Sequence, residues 1–162
     1  MYWSEWQGEP RIEYAALDGA DRHVFLRTGG RVNGLTIDFN QRRLYWVDID
    51  NKTIGSVGLD QRGGNDVRQV VARHLKQPNA LTQFEDFIYW TDWEQRTIVK
   101  ANKTTGENRS VVVDSLTAHV TDLLVYHPNR QNGTSHPSHR LLPHPSELFC
   151  SFHFCRILSL YS

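Results

Sequence analysis

Three carboxylates stand out in this sequence because of their spacing. Glu5, Asp48 and Asp92 close the headings Tyr2-Trp3-Ser4-Glu5, Tyr45-Trp46-Val47-Asp48 and Tyr89-Trp90-Thr91-Asp92, which begin 43 and then 44 residues apart. Glycoside hydrolysis needs two carboxylates held across one bond. One acid per repeat, always behind the same two aromatics, is instead how scaffold residues behave. No Gly-x-Ser-x-Gly elbow and no phosphate-binding glycine loop occurs, and Gly63-Gly64 reads as a turn because no helix follows it. His136, His139, His144, Cys150, His153 and Cys155 are of metal-ligating types, but no Cys-x-x-Cys pair accompanies them. The residues therefore predict no catalytic centre, no metal site and no cofactor, and the chain is not expected to be an enzyme.

The elements that carry these headings repeat with them. After each acid comes an isoleucine (Ile12, Ile54, Ile98), then a glycine turn (Asp18-Gly19, Gly63-Gly64, Gly106). A Val-rich run follows at His23 to Leu26, Val67 to Val71 and Ser110 to Val113. A Leu-containing segment then opens the next unit: Asn33-Gly34-Leu35-Thr36-Ile37, Asn79-Ala80-Leu81-Thr82, and Thr121-Asp122-Leu123-Leu124-Val125. Each unit reads as four short strands between turns, at a period that suits a propeller blade. Within a strand the alternation is twofold: Leu35, Ile37 and Phe39 are expected on one face, Thr36 and Asp38 on the other. Tyr and Trp of each heading must then face opposite ways, each into a neighbouring blade. The acid at the strand end is suited to accept turn N–H groups and tie adjacent units together.

The fold expected is all-β: a partial propeller of about three four-stranded blades. Its repeats run over about 2–44, 45–88 and 89–133. The rhythm stops after Gly133. Residues 134–162 hold four of the eight histidines, three of the six prolines and both cysteines, and are expected to form a divergent, disordered tail outside the propeller.

Lys plus Arg and Asp plus Glu both number 18, so no bulk charge draws the chain to nucleic acid. No apolar run is long enough to span a membrane, and Met1 to Trp6 does not resemble a signal peptide. Four sequons, at Asn51, Asn102, Asn108 and Asn132, point toward a secreted, glycosylated surface.

These headings, at this period, resemble the YWTD β-propeller of the low-density-lipoprotein-receptor-related class. Leu17-Asp18-Gly19 with Arg22, Asn33-Gly34-Leu35-Thr36-Ile37-Asp38 and Leu44-Tyr45-Trp46-Val47-Asp48 carry the likeness. Met1 to Trp6, Phe87-Ile88-Tyr89-Trp90-Thr91-Asp92-Trp93 and Val120 to His127 are most similar to the Wnt co-receptor branch (receptor-related proteins 5 and 6, and arrow). The pattern departs from the class at Glu5, which stands for the usual Asp, and at Asp60-Gln61-Arg62-Gly63. The resemblance implies about three blades of a six-bladed ring, lying on the extracellular face of the plasma membrane within a parent receptor that supplies the membrane contact. It also implies two open blade edges, so the chain alone is expected not to be a stable monomer.

Strands of opposite direction place one set of loops on a single rim, and the resemblance implies that this face takes secreted protein ligands, Wnt proteins or their antagonists. The residues expected there are Trp6, Gln7, Arg31, Val32, Asn33, Ile49, Asp50, Gln77, Asn79, Trp93, Glu94 and His119. Trp6 and Trp93 directly follow the acid and suit binding anchors, although capping of blade ends against a neighbouring loop accounts for them equally well. The other reading of the whole is a structural propeller that packs against an adjoining module, as in endocytic or basement-membrane relatives.

Overall fold

The computed structural model describes residues 1–60, 69–126, 147–150 and 155–157. Its described residues form antiparallel strands and no helix. Strands β1 (Tyr2–Glu5), β2 (Arg11–Tyr14) and β3 (His23–Arg27) make the first sheet, in that order. Strands β4 (Val32–Asp38), β5 (Arg43–Asp48), β6 (Thr53–Gly58) and β7 (Gln69–Ala72) make the second. The third holds β8 (Pro78–Phe84), β9 (Phe87–Asp92), β10 (Thr97–Asn102) and β11 (Ser110–Val113). The fold is a partial β-propeller, with each sheet a blade.

In blades two and three the heading lies on the second of four strands, and the inner strand comes from the preceding repeat. Thus β4 pairs with β5, Leu35 opposite Trp46 and Thr36 opposite Tyr45; β8 pairs with β9, Leu81 opposite Trp90 and Thr82 opposite Tyr89. Inner strands β4 and β8 lie side by side.

Two aromatics leave each heading in opposite directions. Tyr45 is buried among Leu81, Trp90 and Val99 of blade three. Trp46 is buried with Ile12 and Leu26 of blade one. Trp90 faces back toward Tyr45, and Tyr89 faces forward onto Leu123 and Val125. Gly55 pairs with Trp46 across β5 and β6, and a Cβ there would lie 2.4 Å from the indole ring. The missing side chain is what lets Trp46 lie flat on its own sheet.

Thr36 and Asp38 are buried too, because blades cover the sheet on both faces. Phe39 departs from its expected place: β4 ends at Asp38, so Phe39 enters the turn and is 79% exposed. Asp38 instead holds that turn, accepting from the N–H groups of Asn40 and Gln41, both at 3.0 Å.

The other oxygen of Asp38 reaches into blade three. Oδ2 lies 2.7 Å from Nζ of Lys103, and both groups are buried. Lys103 also donates to the carbonyl of Glu85, so one ammonium joins two blades and a turn. Burial alone would push the Asp38 carboxyl up; Lys103 and the turn N–H groups outweigh it and hold it below the ordinary 3.8.

Past blade three the chain places β12 (Leu124–Tyr126) beside β8. Backbone at β13 (Glu147–Cys150) and β14 (Cys155–Ile157) extends β12 in an antiparallel sheet. These two strands are the described part of the span for which a disordered tail is expected; the rest of 134–162 lies outside the described residues, as does the sequon at Asn132.

Lys103→Leu should destabilise the fold by about 3–5 kcal/mol, because it strands a buried carboxylate. The Asp38 carboxyl titrates lower in the folded than in the unfolded chain. Its stabilising share is therefore whole above the ordinary carboxylate range and is lost as pH falls below about 4. Urea unfolding followed by Trp fluorescence at pH 7 and pH 3 should show a gap between wild type and Lys103→Leu that shrinks in acid.

Candidate ligand-binding rim

The acids of the headings organise one rim. Asp92, buried at the end of β9, accepts from the N–H groups of Lys76 and Gln77 at 3.3 Å and from that of Gln95 at 3.0 Å. Lys76 and Gln77 precede β8, so one carboxylate joins the end of one repeat to the heading of the next. Asp48 is buried and takes both the backbone and side-chain N–H of Asn51 at 2.8 Å. Glu5 accepts from Gln7 N–H at 3.0 Å. The headings are turn and strand holders rather than parts of a reaction centre.

The residue after the acid is positioned by these contacts. Ile49 N–H donates to Arg31 O and Trp93 N–H to Gln77 O, both at 2.9 Å, continuing each ladder onto the rim. From there the two tryptophans reach across a blade junction. Trp6 Nε1 donates to Val32 O at 2.6 Å, and Trp93 Nε1 to Val120 O at 2.7 Å. Each indole also meets the residue just before that carbonyl: Arg31 lies 5.6 Å over the Trp6 ring, and His119 stacks on Trp93 at 4.8 Å. At the junction between, Ile49 replaces tryptophan and packs on the core. Both tryptophans thus cap blade junctions, and Trp6 is still 45% exposed.

Arg31 is fixed from a second side. Its guanidinium meets Asp50 at 2.7 Å, and its backbone N–H donates to Asp50 Oδ2 at 2.8 Å. The hydrogen bond from Arg31 holds the Asp50 carboxyl below its usual range, and Asp50 raises Arg31 in turn. Trp6, Arg31 and Asp50 therefore form one cluster of ring, cation and anion on the junction of blades one and two. Gln7, Gln77 and Glu94 are exposed on the same rim and Asn33 is half-buried. The structure corrects the expectation for Asn79: it is buried, with its Oδ1 unpartnered, because the close approach of inner strands encloses it. Among the sequons, Asn51 and Asn108 are exposed and Asn102 is half-buried, its Oδ1 capping a turn through Thr104 and Thr105 N–H.

Two features have no counterpart among the sequence expectations: the Asp38–Lys103 pair and the indole N–H bonds that bridge junctions. A signal for the first existed. Ala15, Leu59 and Lys103 hold equal places after their strands, each bonding back to a hairpin turn or chain start, and only one is charged. Among the described residues no group of three or more His, Cys, Asp and Glu is placed to hold a metal.

The fold and these headings define a class: the chain is a partial YWTD β-propeller of the low-density-lipoprotein-receptor-related class. Residues 86–129 match the family of the low-density lipoprotein receptor repeat class B. Among individual proteins, low-density lipoprotein receptor-related protein 5 of Homo sapiens is 42% identical over 134 residues, 83% of this chain. Its Mus musculus counterpart is 42% identical over 128 residues, 79% of this chain. The chain spans 8% of the length of each. A chain in the crystal structure of a nidogen/laminin complex superposes with a TM-score of 0.58 at 25% identity, over 71% of this chain and 42% of that one.

Trp93→Phe keeps a ring over His119 but removes the bond to Val120 O. A loss of about 1 kcal/mol is expected, read as a lower Tm by calorimetry, and Trp6→Phe should behave alike. An unchanged Tm in both would show that the indole N–H bonds do not hold the junctions.

Proposed function

We propose that this chain is an extracellular ligand-binding propeller segment of a Wnt co-receptor-like receptor, and that it takes secreted protein ligands on the tryptophan rim. The likeness to low-density lipoprotein receptor-related protein 5 supports the receptor type. The observation that carries the rim is the Trp6–Arg31–Asp50 cluster. A rigid indole, pinned through its N–H, offers a ring face to a partner at little entropic cost. A paired cation and anion beside it offer directional contacts and select for complementary charge.

The cluster suits a folded protein partner rather than a small molecule, because its groups are open on the rim. Trp93, Glu94 and His119 extend the same surface across the next junction, with Gln77 and Asn33 between. Sequons at Asn51, Asn102 and Asn108 suit a secretory route. The parent receptor, not this segment, supplies the membrane contact.

Trp6→Ala should weaken binding of the chain to immobilised Wnt protein or secreted Wnt antagonist by tenfold or more, about 1.4 kcal/mol. Arg31→Ala should weaken it less and reduce its salt dependence. Biolayer interferometry on folded variants, checked by circular dichroism, measures both. Equal affinity of Trp6→Ala and wild type for every ligand that binds would remove the rim from the account.

A further inference from the structure

The connection from β7 to β8 and the outer half of blade three enclose a cleft of about 270 Å³ at the junction of blades two and three. Gly106 sets how closely its walls approach. This glycine stands at φ +71° in the turn between β10 and β11, and a Cβ there would collide with Val71 O of β7. The turn of blade three therefore rests directly on the outer strand of blade two. Just past that turn, Arg109 reaches across the junction. Its Nη1 donates to Arg73 O at 3.0 Å and its Nε to Gly106 O at 3.3 Å.

The cleft has two kinds of wall. Leu75, Trp90 and Val99 are buried and make its back. His74, Lys76 and Arg109 line it as exposed residues, and so does Val111 of β11. Cations thus stand at the mouth of an apolar recess. Asp92 is the one acid among the described lining residues, and its carboxylate is already taken. The N–H groups of Lys76, Gln77 and Gln95 donate to it.

The mouth differs from the other cationic places in the missing anion. Arg11 and Arg22 pair with Glu13, Arg27 with Glu9, Arg31 with Asp50 and Arg42 with Asp60. Among the described residues no carboxylate forms an ion pair with Lys76 or Arg109. Two carbonyls orient the Arg109 guanidinium but leave its charge uncompensated. A guanidinium ordered in advance beside an apolar wall binds a carboxylate at reduced entropic cost.

We propose that this cleft binds an acidic peptide segment: one glutamate or aspartate side chain between Lys76 and Arg109, with an aliphatic neighbour against Val99 and Val111. Size and chemistry select this class. Pockets that enclose a whole small-molecule ligand run to about 300–1,000 Å³, so a cleft of about 270 Å³ holds a side chain or two. A sulfated glycan is best met by a row of cations in open solvent. Here the cations surround a single recess with an apolar back. The site is separate from the tryptophan cluster, since none of Trp6, Arg31 and Asp50 lines it.

Two capped tetrapeptides test the site, each with leucine at both ends, one with two central glutamates and the other with two central glutamines. Titrated into the full chain with isotope-labelled valine methyls, the acidic peptide should shift Val99 and Val111 saturably, and less as salt rises. The glutamine peptide should shift neither. Lys76→Gln removes an exposed charge while keeping the backbone N–H that meets Asp92, and should weaken the acidic peptide about fivefold. Arg109→Gln should weaken it by about tenfold or more. Because Arg109 also braces the turn, Lys76→Gln decides the matter if Arg109→Gln does not fold. Arg42→Gln removes a charge that Asp60 answers at a different turn, and should leave the affinity unchanged. Equal affinity for the two peptides, unchanged affinity in Lys76→Gln, or no methyl shift at millimolar acidic peptide would overturn the site. A heparin tetrasaccharide that moves the same methyls at lower concentration than the acidic peptide would assign the cleft to a sulfated glycan and overturn it equally.

Discussion

A strand that carries Tyr and Trp on consecutive residues must bury one aromatic on each of its faces. Everything else in this structure follows from that demand. Each ring buries on the order of 200 Å², or about 5 kcal/mol as an upper estimate by area. No surface contact approaches that, so the faces decide how the blades stack. Tyr45 looks forward to blade three and Trp46 back to blade one. A blade with this heading is incomplete without a neighbour on either side. The acid behind the aromatics does less. Asp48 and Asp92 satisfy turn N–H groups, so that the strand can end where the rings require.

Much of this is legible because β structure writes itself into sequence with a period of two, and repeats write it again at a longer one. The headings, their opposed aromatics and the Leu-rich inner strands all lie where the sequence expects them. Phe39 does not, because alternation says which way a side chain points but not where the strand stops; Asp38 stops it by capping the turn. Asn79 escapes for a related reason. It occupies a rim-side position in the repeat, yet the inner strands approach so closely there that it is enclosed. Asp38 and Lys103 lie on different blades, and no local pattern joins them. Only comparison of Lys103 with Leu59 and Ala15 in equal places exposes an uncompensated charge.

The rim shows the same economy of groups. Trp6 uses its N–H for the junction and is still 45% exposed. Arg31 likewise answers to Asp50 through its guanidinium and backbone while lying over the indole. On the proposed rim, binding and junction strength would be coupled through the same residue, because loosening the junction would disperse the surface it displays.

The offset between repeat and blade carries the last consequence. Because each inner strand belongs to the preceding repeat, the chain stitches every blade to the one before it. Strands β4 and β8 make that stitch twice, each pairing with the heading strand of the following repeat in the same register, Leu35 opposite Trp46 and Leu81 opposite Trp90. A change in the length of either connection would move every contact of the junction at once.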